Sequence, residues 1–166
     1  MTNPPLLPLI HSFLRLETLA HELYRAHLPY VPRFAKEDFR EFIRIEEKHR
    51  RIFEQLYCRI AKRKHHPRFP FSVFAMKCVA QVVRIGGFSA ICRFECAIER
   101  RAIRDYEQAL QFVKRSDIRR VIKHVLRDER SHPSLETLLA QFQRDEEQHV
   151  KRMEQALRKK ISTVPR

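Results

Sequence analysis

Tryptophan is absent and glycine occurs only twice in 166 residues. Scarce glycine, with abundant Leu, Ile, Ala, Glu, Arg and Lys, points to an all-α chain, because these residues favour a helix and glycine opposes one. No β-rich run competes with that reading. The four cysteines, Cys58, Cys78, Cys92 and Cys96, include no C-x-x-C pair. A chain of this length needs no disulfide staples, so reduced and mostly buried thiols are expected. The N-terminal run MTNPPLLPLIHSFLRLE lacks a basic stretch before its apolar residues and lacks a small-residue cleavage site. This argues against a secretory signal and for a cytoplasmic protein, with membrane contact at its surface. Acidic residues are also short: 20 Asp and Glu face 34 Lys and Arg, a formal charge of +14. That imbalance favours an anionic membrane surface or a nucleic acid as partner, and says little about fold.

What remains is 43% hydrophobic and has the length of one domain with a sizeable core. The chain is therefore read as a single helical domain over residues 1–166. A first helix is expected from about Leu9 to Leu28, closed by Pro29 and Pro32. A second runs from Lys36 to about Lys64, its apolar positions recurring at three and four. Residues 69–92 are the most apolar stretch. Lys77, Gln81 and Arg84 fall on one face of it, so it reads as an amphipathic crossover lying on a surface, not crossing lipid. Gly86 and Gly87 mark a kink or a close packing point. A third long helix covers Phe88 to Lys114. A fourth is capped by Ser116 or Asp117 and continues to at least Arg130, Pro133 interrupts it, and a helical extension occupies residues 134–160.

The chemistry lies in a weak internal duplication. Glu17 is followed by Ala20 and Tyr24, and Glu99 by Ala102 and Tyr106, at identical offsets of three and seven. Glu46-x-x-His49 begins 29 residues after Glu17, and Glu129-x-x-His132 begins 30 residues after Glu99. Each half thus carries a Glu on one helix and Glu-x-x-His on the next. A dinuclear carboxylate site in a bundle core needs that arrangement, since a spacing of three aims a carboxylate and an imidazole at one spot. Four carboxylates offset most of the charge of two divalent ions. Mixed oxygen and nitrogen ligation suits iron, with manganese as the alternative. Each element sits in an apolar frame where an unpaired carboxylate would be costly. A single Glu-x-x-His is common on any charged helix, and a third one, Glu146-x-x-His149, competes for the last position. It lies 47 residues after Glu99 among charged neighbours and is read as a solvated face, with Glu146 and His149 kept as the alternative last pair. His21, one turn past Glu17, is a candidate to orient a ligand. Tyr24 and Tyr106 are read as core residues with hydrogen-bonded hydroxyls.

On these motifs the sequence resembles the ferritin-like di-iron carboxylate superfamily, and within it the demethoxyubiquinone hydroxylases, over roughly residues 13–150. The telling feature is the interval of about fifty residues between His49 and Glu99, filled by the apolar segment FPFSVFAMKCVAQVVRIGGFSAICRFECAIE. The resemblance implies a ferritin-like antiparallel four-helix bundle with two irons held by Glu17, Glu46, His49, Glu99, Glu129 and His132. It also implies docking of segment 69–92 on a membrane that holds a long-tailed quinone. The leading functional expectation is an O2-dependent hydroxylase of a quinone-like lipid, with Lys77 and Arg84 touching lipid phosphates. The alternatives are a ferritin-like or rubrerythrin-like protein handling iron or peroxide, and a di-iron hydroxylase that modifies tRNA, suggested by the charge alone. A homo-oligomer is compatible with each of these.

Overall fold

A computed structural model describes residues 6–114 and 134–162, and among these residues five α-helices and no strands are found. Helix α1 spans Leu6–His27 and is followed by two short 3-10 turns, Leu28–Tyr30, which contains Pro29, and Arg33–Ala35, which Pro32 precedes. Helix α2, Lys36–Ala61, opens with Glu37 and Asp38 in its first turn, where acidic side chains complement the helix dipole. It closes at Lys62 in the left-handed conformation, with the Arg63 amide donating to the Cys58 carbonyl at 3.0 Å. Helix α3, Pro70–Ile85, starts on a proline, whose missing N–H costs nothing at a helix N-terminus. Helix α4 spans Gly87–Val113 and helix α5 spans Leu135–Ser162. Ser134 caps α5: its hydroxyl accepts the Thr137 amide at 3.1 Å.

Between α3 and α4 the expected kink is a true break. Gly87 has φ +69°, and a Cβ on Gly86 would come within 2.6 Å of the Ala90 Cβ, so neither position tolerates a side chain without strain.

The helices form two hairpins, α1 with α2 and α4 with α5, which assemble into a four-helix bundle. Helix α3 is the crossover and lies against both α1 and α4. The core divides into two apolar layers. One contains Ile10, Phe13 and Leu14 of α1, Phe53 and Leu56 of α2, Tyr106 and Val113 of α4, and Leu139 and Phe142 of α5. The other contains Tyr24 of α1, Phe39 and Phe42 of α2, Ile91 and Cys92 of α4, and Met153 of α5. On every bundle helix buried Glu or Glu with His lies between the two layers: Glu17, Glu46 with His49, Glu99, and Glu146 with His149. Each fully buried Phe or Leu contributes about 1.5–3 kcal/mol relative to exposure, so these layers supply the stability that a charged stratum between them would otherwise erode.

Two expectations change here. The run 134–160, anticipated as an extension outside the bundle, is the fourth bundle helix. The helix expected from Ser116 or Asp117 to Arg130, the interruption at Pro133, and the pair Glu129 and His132 lie outside the described residues.

Helix α3 presents an unexpected face. Phe71, Phe74, Val82 and Ile85 share one side of it and are 82%, 66%, 69% and 82% exposed, while only Ala80 is buried. Lys77 pairs with Glu22 of α1 at 3.1 Å, and Arg84 stacks over the Tyr30 ring at 4.7 Å and donates to its hydroxyl. Both cations are thus held along the flank facing α1 and its following turn. Among the described residues no helix is long and apolar enough to cross a membrane.

Candidate metal centre

Glu17, Glu46, Glu99, Glu146, His49 and His149 are each no more than 1% exposed. They fall into two overlapping sets whose ligand atoms lie within 4.8 Å of one another. Glu17, Glu46, His49 and Glu146 form one set, and Glu46, Glu99, Glu146 and His149 form the other. Glu46 and Glu146 belong to both. Each set therefore has one histidine, one carboxylate of its own and two shared carboxylates.

The sequence brings these side chains together by repeating one local pattern. On α2, Phe42 precedes Glu46 by one turn and His49 follows; on α5, Phe142, Glu146 and His149 stand at the same offsets. The imidazole of each helix rests on the phenyl ring of the other. His49 is 4.0 Å from Phe142 and His149 is 4.3 Å from Phe42, ring centre to ring centre. The duplicated tyrosines act crosswise as well. Tyr24 of α1 donates to Glu99 Oε1 on α4, and Tyr106 of α4 donates to Glu17 Oε1 on α1. Burial and the adjacent carboxylates raise both phenols well above their ordinary value, so they remain protonated donors.

Electrostatics mark this stratum as built for a cation. Burial, then the neighbouring carboxylates, hold Glu46 and Glu99 well above the usual carboxylate range. Glu146 shifts the other way: burial would raise it, but its close contacts with the imidazoles of His149 and His49 outweigh that and lower it. Burial would lower both histidines, yet their carboxylate partners push His49 up to about 11 and His149 to about 9. Several buried atoms pointing into the cluster lack a well-aligned hydrogen-bond partner among the described residues. They are Glu17 Oε2, both oxygens of Glu46, Glu146 Oε2, and Nδ1 of His49 and His149. Unpaired buried polar atoms are rare in native proteins because each one left dry costs free energy. Six of them converging from three helices, α1, α2 and α5, fit a pair of divalent ions, which would satisfy all of them at once.

The rubrerythrin family model matches residues 12–135, most of the chain. The chain belongs to the rubrerythrin family. The described helical bundle and the buried Glu and His cluster accord with that ferritin-like di-iron superfamily. The match takes in Glu17, Glu46, His49, Glu99, Glu129 and His132 and ends before Glu146. No curated protein and no solved structure matches the chain at a significant level.

Of the residues anticipated from sequence, the structure brings Glu17, Glu46, His49 and Glu99 together. The reading of Glu146 and His149 as a solvated face does not hold, because both turn into the core between Phe142 and Met153, and Phe42 covers the His149 ring. Their charged neighbours, Arg144 and Lys151 among them, occupy the other faces of α5. His21 does not reach the cluster. Its ring nitrogens lie 3.6 Å from Glu22 and Glu47, and burial lowers its pKa.

Three functional candidates escaped the sequence reading. Asp145 Oδ2 accepts from His49 Nε2 at 3.1 Å. Glu95, one turn before Glu99, meets His27 Nδ1 at 2.6 Å, and both are fully buried. The signal for Asp145 was its position directly before the Glu of a Glu-x-x-His. For Glu95 and His27 the available signal was an acidic and a basic residue each placed one or more turns from a site Glu on an otherwise apolar face.

Proposed function

We propose that this rubrerythrin-family protein holds two iron ions between Glu17, Glu46, His49, Glu99, Glu146 and His149, and uses them to turn over dioxygen or peroxide without an organic substrate. The observation that carries this reading is the pair of overlapping, fully buried ligand sets, each with one histidine, enclosed by apolar layers on both sides. When bound, two ferrous ions supply two electrons, enough to take hydrogen peroxide and two protons to two molecules of water. The chain does the rest. Glu46 and Glu146, common to both sets, would be available to both ions, while Glu17 with His49 and Glu99 with His149 would hold one each. Tyr106 keeps Glu17 Oε1 occupied, so Oε2 is the oxygen left for the cluster. The phenylalanines above and below exclude bulk water.

The test is ferrous loading without oxygen, followed by peroxide or dioxygen and no other reactant. Oxidation of two irons per chain with matching peroxide consumption is expected. If oxidation proceeds only after a quinol-like lipid is added, the reading fails in favour of the next one.

That second reading is an O2-dependent hydroxylase of a quinone-like lipid, resembling demethoxyubiquinone hydroxylase, at an anionic membrane surface. Two features favour it. The exposed stripe of Phe71, Phe74, Val82 and Ile85 on α3 would be covered by an apolar surface. Beneath α3, a cleft of about 280 Å³ is lined by the apolar Leu16, Leu19, Ala20, Met76, Ala97 and Ile98 together with Arg101. Leu16 adjoins Glu17 and Ile98 adjoins Glu99 in the chain, so the cleft runs beside the ligand-bearing helices.

A further inference from the structure

The two halves of the centre use the same residue types but are not built alike around their histidines. His49 turns Nδ1 toward the cluster, 3.3 Å from Glu17 Oε2 and 3.4 Å from Glu146 Oε1. Its other nitrogen, Nε2, donates to Asp145 Oδ2 at 3.1 Å. That bond fixes ring orientation and tautomer, leaves the Nδ1 lone pair for a cation, and makes the imidazole a stronger donor. His149 also turns Nδ1 inward, 3.0 Å from Glu146, 3.4 Å from Glu46 and 3.6 Å from Glu99. Its Nε2 is buried and has no hydrogen-bond partner among the described residues.

Packing does not explain the difference, since each ring sits against an equivalent phenylalanine, Phe142 or Phe42. The sequence does. Asp145 directly precedes Glu146, and the matching position directly before Glu46 is Ile45. The carboxylate that α5 sends across to the histidine of α2 has no counterpart going the other way.

We propose that the two metal positions fill in order. The position of Glu17 and His49 fills first and tightly, and that of Glu99 and His149 fills second and exchanges more readily, with Asp145 as the positioning residue that sets the difference. This rests on the dinuclear reading above. It adds which half is the resident site and which half lets an ion enter and leave.

The experiment is titration of the metal-free full chain with cobalt(II), followed by calorimetry and by the visible absorption of the bound ion. Wild type takes up two ions in two resolved steps, the first at least about tenfold tighter, the lower bound for losing such a partner. In Asp145→Asn the first step weakens by roughly 10–100-fold and approaches the second. Ile45→Asp gives His149 the missing carboxylate and tightens the second step, a gain that mere damage to the fold would not produce. Circular dichroism confirms that each variant is helical before titration. Two equivalent steps in wild type, or unchanged first-step affinity in Asp145→Asn, overturns the order while leaving the dinuclear centre standing. A folded wild-type chain that binds no cobalt overturns both.

Discussion

Replacing Glu46 by leucine separates the structural cost of the centre from its purpose. Glu46 is 1% exposed, both of its oxygens lack a well-aligned partner, and three other carboxylates surround it. A buried polar group left unpaired costs about 1–3 kcal/mol, and leucine is close enough in size to fill the space. Glu46→Leu should therefore stabilise the metal-free protein by about 1–3 kcal/mol, or roughly 2–4 °C in Tm per kcal/mol for a chain of this size. With metal present the sign reverses. A ligand at a hundred times its Kd adds about 2.7 kcal/mol to the native state, and a variant lacking a carboxylate shared by both sets forfeits most of that. Thermal unfolding followed by circular dichroism, once with chelator and once after ferrous loading without oxygen, reads both terms. Two outcomes refute the reasoning: a metal-free variant less stable than wild type, or a variant that metal stabilises as much as it does wild type.

Tyr24→Phe and Tyr106→Phe each remove a donor to one terminal carboxylate. Each should weaken uptake of one ion more than the other in a cobalt titration, at a cost in fold stability of about 0.5–1.5 kcal/mol. In the metal-free protein His49 and His149 have values raised from 6.5 to about 11 and about 9, so their contribution is complete below pH 6.5 and is lost as pH climbs through 9 and then 11. Glu46 and Glu99, raised above 4.5, add to the same decline as they ionise. The melting temperature of the metal-free chain should fall steadily from pH 6.5 to 10, and a flat profile would contradict the assignment. Phe74→Glu with Val82→Glu should sharply reduce sedimentation with anionic vesicles if α3 docks on lipid, and unaltered sedimentation would remove the support that α3 gives the hydroxylase reading.

The helical class, the first three bundle helices and four of the six clustered residues were legible in the sequence. Apolar periodicity and the duplicated Glu, Ala and Tyr at offsets of three and seven encode local geometry that tertiary packing does not overturn. The last pair was not legible from spacing, because the number of residues between Glu99 and the following Glu-x-x-His depends on the connection. Equal spacing in the two halves is no requirement of the fold. The better signal was the phenylalanine one turn before each Glu, Phe42 and Phe142, since the ring that shelters a buried imidazole must come from the facing helix. A charged neighbourhood misled for a related reason: on a helix only about one face in three is buried, so Arg144 and Lys151 can be solvated while Glu146 is not. The outward face of α3 was hidden as well. Periodicity shows that a helix has an apolar side but not whether the bundle or something outside the chain covers it.

The most direct test counts iron in three chains after ferrous loading without oxygen and removal of free metal. Wild type should retain two irons per chain, and so should Glu129→Ala/His132→Ala. The double variant Glu146→Ala/His149→Ala should lose most of both, because Glu146 belongs to both ligand sets. Two irons retained in Glu146→Ala/His149→Ala, or none bound by a folded wild-type chain, would contradict the account.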